Sequence, residues 1–153
     1  MFRVATTINR GFTLVELVVV IILVGTLSAL GVSLFASKRA FSPLLASQQL
    51  ASATLLAQQA ALAGNAGSDL LISQTSDAFR FTVGPSSASP RVFTIAREGA
   101  SLSVAGGLPR TLSFGTDGVP ASGTNLTLTF SGDSTFQSCI SSRGAVYSGG
   151  CQP

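Results

Sequence analysis

The chain has 153 residues, of which 46% are hydrophobic and only 10% charged, giving a mean hydropathy of +0.51; soluble domains usually carry about 25% charged residues. A net charge of +3 is a poor pointer to nucleic acid, because the nine basic residues are scattered and Lys38-Arg39 is their only adjacent pair. With no histidine and two cysteines, Cys139 and Cys151, the chain lacks the ligands for most metal chemistry and the base for histidine-dependent nucleophilic catalysis.

Four segments follow one another along the chain. Residues 1–11 are short and polar in their second half. From Phe12 to Ala36 the only ionisable side chain is Glu16. A helix of that length, at ~1.5 Å per residue, crosses a hydrocarbon core of ~30 Å. Residues 37–63 continue the helix in amphipathic form, rich in the strong helix formers Ala, Leu and Gln. Leu44, Ala51, Leu55 and Leu62 recur at helical spacing and predict its apolar stripe. Pro43 removes one internal hydrogen bond and disturbs the turn before it, so a kink is as consistent with the sequence as a break. Gly64-Asn65-Ala66-Gly67 ends the helix.

Residues 64–153 read as β. Ala78–Val83 and Leu126–Phe130 alternate with period two, and Arg91–Arg97, Leu112–Phe114 and Gln137–Ser141 are further predicted strands. Gly84-Pro85, Gly106-Gly107, Asp117-Gly118 and Gly123 supply turns. A sheet with one apolar face needs a cover, and the amphipathic helix is available. The expected architecture is α+β, a long N-terminal helix packed on an antiparallel sheet. Cys139 and Cys151 enclose a predicted hairpin turning at Arg143-Gly144, and one disulfide closing it implies an oxidising compartment.

The most informative segment is Gly11-Phe12-Thr13-Leu14-Val15-Glu16. Glycine before an apolar helix lets a protease close around the backbone where a Cβ would crowd it. A carboxylate at the fifth position of the apolar run costs ~3 kcal/mol to insert into a bilayer, which marks it as functional by default. An ordinary secretory signal has a shorter apolar core and a small-x-small cleavage site; here the core is longer, although Ala29-Leu30-Gly31 would pass as such a site. The run resembles the class III signal of type IV pilins and of type II secretion pseudopilins. That resemblance implies cleavage by prepilin peptidase between Gly11 and Phe12 and N-methylation of Phe12. It also implies a filament-assembly role for Phe12 and Glu16, the carboxylate pairing with the terminal amine of a neighbouring subunit. Such a pair lowers the cost of burying both charges.

Carried through the chain, the resemblance makes 1–11 a leader peptide, 12–36 a transmembrane helix half, 37–63 an amphipathic half and 64–153 a periplasmic β-rich domain with a C-terminal disulfide loop. Removing Arg3 and Arg10 with the leader leaves 7 − 6 = +1. The basic residues flanking the span tie, so orientation rests on the leader's free amine, which favours a cytoplasmic N-terminus, and on the disulfide, which favours a C-terminal domain outside. Many major pilins carry a proline where this chain has Ser33, which leaves Gly31 or Pro43 as the bending point. Together with the C-terminal run from Leu112 to Cys151, this makes the chain similar to minor subunits of the GspH/FimT group or of mannose-sensitive haemagglutinin pili. The expected role is a minor pilin in a pilus or its initiating tip complex, with a type II secretion pseudopilin as the alternative. Expected partners are prepilin peptidase, other pilin or pseudopilin subunits, the inner-membrane assembly platform and the lipid bilayer. Some FimT-like relatives capture DNA through a basic tail, but here only Arg143 lies in that region, so nucleic acid is not expected as a partner. No catalytic residue, metal or cofactor is expected. The serines lack a histidine to activate them, and Asp69, Asp77, Glu98, Asp117 and Asp133 stand singly near turns.

Overall fold

The computed structural model describes residues 12–152, with side chains throughout that range except at 32–38. Among these residues the chain forms one helix and eight strands. Helix α1 is a 49-residue element, Leu14–Leu62, that passes through Gly31 and Pro43 without a break in its assignment. Contacts divide the chain between Ala36 and Ser37. In the first unit, Leu14–Gly31 has a mean hydropathy of 2.5 and no buried residue.

In the second unit the strands are β1 (Leu70–Gln74), β2 (Ala78–Val83), β3 (Arg91–Ala96), β4 (Ser101–Val104), β5 (Arg110–Leu112), β6 (Leu126–Ser131), β7 (Thr135–Ile140) and β8 (Val146–Ser148). They form two four-stranded antiparallel sheets, ordered β3-β2-β1-β5 and β4-β6-β7-β8. The single sheet expected from the sequence is therefore two. The period-two strands place Leu70 and Ile72 of β1, Phe79, Phe81 and Val83 of β2, and Leu126, Leu128 and Phe130 of β6 in one core. Phe130 joins the sheets, meeting Phe79 edge-on at 5.6 Å and Phe81 at 6.4 Å between ring centroids. Gln74 of β1 accepts a hydrogen bond from the Leu102 N–H of β4 (2.7 Å), a second tie between the sheets.

The helix covers this core with small residues. Ala46, Leu50, Ala53, Ala57 and Ala61 are buried, at spacings that keep them on one face. The predicted stripe lies elsewhere. Leu55 and Leu62 are 52% and 61% exposed, and Leu44 and Ala51 are half-buried. At about 100° per residue these positions stand over a third of a turn from the alanine face. The strands' phenylalanines already fill the core volume, so the helix contributes the residues that permit close approach.

Pro43 is buried within the helix and lies against Gly132. The turn it disturbs is tied down from the β side. The Ser134 hydroxyl donates to the Ala40 carbonyl (2.7 Å), and the Ser42 hydroxyl donates to the carbonyls of Ala96 (2.7 Å) and Arg97 (3.1 Å). The helix ends in a Schellman motif, with the Gly64 N–H donating to the Ala61 carbonyl and the Asn65 N–H to the Ala60 carbonyl, both at 2.9 Å. Gly64 takes the left-handed conformation the motif requires (φ 71°). Further along, the Gln58 amide donates to the carbonyls of Gly118 (3.1 Å) and Gly144, stapling two turns to the helix.

The last hairpin turns through Ser141–Ala145, where the Ser141 N–H donates to the Ala145 carbonyl (2.8 Å) and the Gly144 N–H to the Ser141 carbonyl (2.9 Å). A disulfide joins Cys139 of β7 to Cys151 across a sequence separation of 12. It holds the tail over β6, where the Cys151 N–H donates to the Thr127 hydroxyl (3.2 Å).

Candidate functional site

Thr13 and Glu16 build the start of the helix between them. The Thr13 hydroxyl accepts the Glu16 N–H (3.2 Å), and the Glu16 carboxylate reaches back to accept the Thr13 N–H (3.5 Å). This is a capping box, which satisfies two backbone donors that the first helical turn leaves without partners. The first intrahelical bond follows, from the Leu17 N–H to the Thr13 carbonyl (3.1 Å). The carboxylate stands in the first turn, at the positive end of the helix dipole. Glu16 thus has a partner on its own chain as well as the intersubunit role implied by the resemblance. The signal lies in the sequence as Thr-x-x-Glu, and Thr13 is the functional residue that the methylation resemblance alone does not single out.

Beyond the cap the span turns mainly apolar side chains outward. Leu14, Val15, Leu17 and the run from Val18 to Val24 are all exposed. Its hydroxyls are turned onto the helix itself, the Thr26 hydroxyl donating to the Leu23 carbonyl (2.9 Å) and the Ser28 hydroxyl to the Val24 carbonyl (2.7 Å). A helix with its polar groups internally satisfied and its apolar side chains outward is suited to hydrocarbon.

Residues 7–32 match the prokaryotic N-terminal methylation motif. The motif overlaps the capped start of the helix and runs along the apolar span. It supports a type IV pilin-like or pseudopilin precursor, a structural subunit rather than an enzyme. It implies processing by prepilin peptidase and assembly with other pilin subunits, and with the apolar helix it fits a single-pass inner-membrane anchor. No curated protein and no solved structure matches the chain.

Of the residues singled out from the sequence, Phe12 is 78% exposed immediately before the capping box. Gly11 and the leader 1–11 lie outside the described residues, as does the side chain of Ser33. Cys139 and Cys151 belong to the second unit, where Cys139 is fully buried and Cys151 half-buried. Two of the acids serve turns or their neighbours. The Asp117 carboxylate accepts the Val119 N–H (3.1 Å), and the Asp77 carboxylate accepts the Ser76 hydroxyl (2.9 Å). Among the described residues no three His, Cys, Asp or Glu side chains come together.

Proposed function

We propose that the chain is a minor type IV pilin-like structural subunit, incorporated into a pilus or the tip complex that initiates it. Prepilin peptidase cuts between Gly11 and Phe12, and Phe12 becomes the N-methylated first residue. Residues 12–36 hold the subunit in the inner membrane with its N-terminus cytoplasmic, and residues 37–153 stand in the periplasm until assembly. The observation that carries this reading is the coincidence of the methylation motif with a capped, outwardly apolar helix. In the assembled filament the Glu16 carboxylate exchanges its long bond to the Thr13 N–H for the charged terminal amine of a neighbour.

Mass spectrometry of the chain expressed with and without prepilin peptidase tests the processing step. The expected product begins at Phe12 and carries one added methyl group. An intact Met1, or a start at any other residue, would sink the proposal. A deletion strain then separates the machines. Loss of surface filaments with secretion intact supports the pilus role, whereas loss of secretion with filaments intact moves the subunit to the type II pseudopilus.

A further inference from the structure

Strand β3 is an edge of its sheet and the longest of the edge strands, six residues against four in β4 and three each in β5 and β8. Native edges are commonly guarded by lysine, proline, a bulge or brevity. Strand β3 contains no lysine or proline, and its register with β2 runs unbroken from Arg91 opposite Val83 to Ala96 opposite Ala78. Among the described residues, Val92 is the one large apolar side chain on a strand that stands exposed, at 48%.

The ladder shows which backbone groups this edge offers. In an antiparallel pair, residues bonded to the partner alternate with residues whose N–H and C=O point away from it. The Arg97 N–H donates to the Asp77 carbonyl (2.9 Å), so the odd-numbered residues of β3 bond β2, and Val92, Thr94 and Ala96 point outward. The Ala96 carbonyl agrees with this parity, since it accepts the Ser42 hydroxyl of α1. That bond closes one end of the edge. Val92 and Thr94 remain, with no strand beside them among the described residues.

The charge on this free edge has one sign. The strands of the sheet carry Arg80, Arg91 and Arg110 and no acid. Arg91 lies on the same face as its partner Val83 and lines an open groove of about 590 Å³, which Leu56 and Ala60 of α1 also line and which contains no acid. Arg80 stands exposed on the opposite face, directly across from Thr94. Among the described residues neither guanidinium has an ion-pair or hydrogen-bond partner. Asp77 and Glu98 lie past the closed end.

We propose that the free edge of β3 docks an extended acidic segment of a partner protein, added antiparallel as a further strand of the sheet. Val92 and Thr94 exchange main-chain hydrogen bonds with it, and its side chains set the choice of partner. Successive side chains of a strand face opposite sides. A carboxylate opposite Thr94 therefore meets Arg80 on the outer face, and one three residues on, opposite Arg91, meets that arginine in the groove. The two residues between them lie opposite Phe93 and Val92 and are apolar. The site takes no part in processing or membrane insertion, so its test can fail without touching that proposal.

The test is fluorescence anisotropy of a labelled peptide, acetyl-Thr-Glu-Val-Val-Glu-Thr-amide, titrated with the full-length chain in detergent. Saturable binding is expected, at least tenfold tighter than that of the same peptide with lysine at both glutamates. Methylating the backbone nitrogens of the first glutamate and the second valine, which face Thr94 and Val92, should weaken it at least tenfold as well. Thr94→Pro removes an outward donor and leaves the β2 ladder intact, so it should weaken binding similarly with little change in the thermal transition. Arg91→Glu, at an exposed position, should shift the preference to the peptide with lysine at the second glutamate alone. It decides the matter if Thr94→Pro fails to fold. Absence of saturable binding, equal binding of the lysine peptide, indifference to backbone methylation, or an unchanged preference in Arg91→Glu would each overturn the proposal.

Discussion

Two glycines separate backbone strain from steric conflict at the level of single residues. Gly64 and Gly144 both take positive φ, 71° and 86°. A Cβ on Gly64 would meet nothing within 4 Å, whereas one on Gly144 would lie 2.7 Å from the Gln58 amide nitrogen and 2.7 Å from the Gly118 carbonyl oxygen. Gly64→Ala is therefore expected to cost only the left-handed strain, about 1 kcal/mol. Gly144→Ala adds the loss of the Gln58 staple, for about 2–4 kcal/mol in all. Urea denaturation of the two variants with the disulfide intact measures the difference, and equal losses would mean that the staple contributes nothing. Thr13 and Glu16 divide in a similar way. Thr13→Ala removes only the cap, at about 1 kcal/mol of local helix stability, and should leave filament assembly near normal. Glu16→Ala removes the cap together with the partner for a neighbour's amine, so it should be cleaved normally yet assemble poorly. Immunoblots for processing alongside filament yields distinguish the two, and normal assembly of Glu16→Ala would remove the pairing argument.

Within the elements, the helix inverts the weighting that its sequence suggests. Leu50 is fully buried among alanines, and Leu55 is 52% exposed. Leu50→Ala should cost about 2–5 kcal/mol through lost burial and a cavity. Leu55→Ala should stay within about 0.5 kcal/mol. Thermal melts of the pair check this, and a large loss at Leu55 would restore the stripe predicted from leucine spacing. That stripe misled because side-chain bulk is a poor guide to facing when sheet aromatics already occupy the core. The strands were more legible. Ala78–Val83 coincides with β2, and Arg91–Arg97 and Leu126–Phe130 each match their strand to within one residue. β1 and β4 are not legible, since Leu-Leu-Ile-Ser-Gln has no clean alternation and Ser-Leu-Ser-Val is too short to carry a period. The strand placed at Leu112–Phe114 is β5 at Arg110–Leu112, and Phe114 instead makes the isolated bridge to Pro120. A sequence pattern gives no register, so the division into two sheets could not be read from it. The start of the helix was legible because its chemistry is local, with Thr13 and Glu16 meeting across three residues.

Across the whole molecule, the second unit is held by ties of long sequence separation, and the disulfide is the covalent one among them. Closing a loop of 12 residues lowers the entropy of the unfolded chain by the equivalent of about 3 kcal/mol. Cys139→Ser with Cys151→Ser should therefore lower stability by about that amount and abolish the effect of reducing agent on the melting temperature. A double variant still sensitive to reductant would contradict the assignment. Gln58 has a different consequence, one of timing. Its two acceptors lie 60 and 86 residues downstream, and the Ala40 carbonyl waits for a serine 94 residues away. A chain made from its N-terminus produces the alanine face long before the strands that cover it. Nearly all of the polypeptide must exist before that face can dock, so the interval of greatest exposure to aggregation and proteolysis precedes the last ten residues.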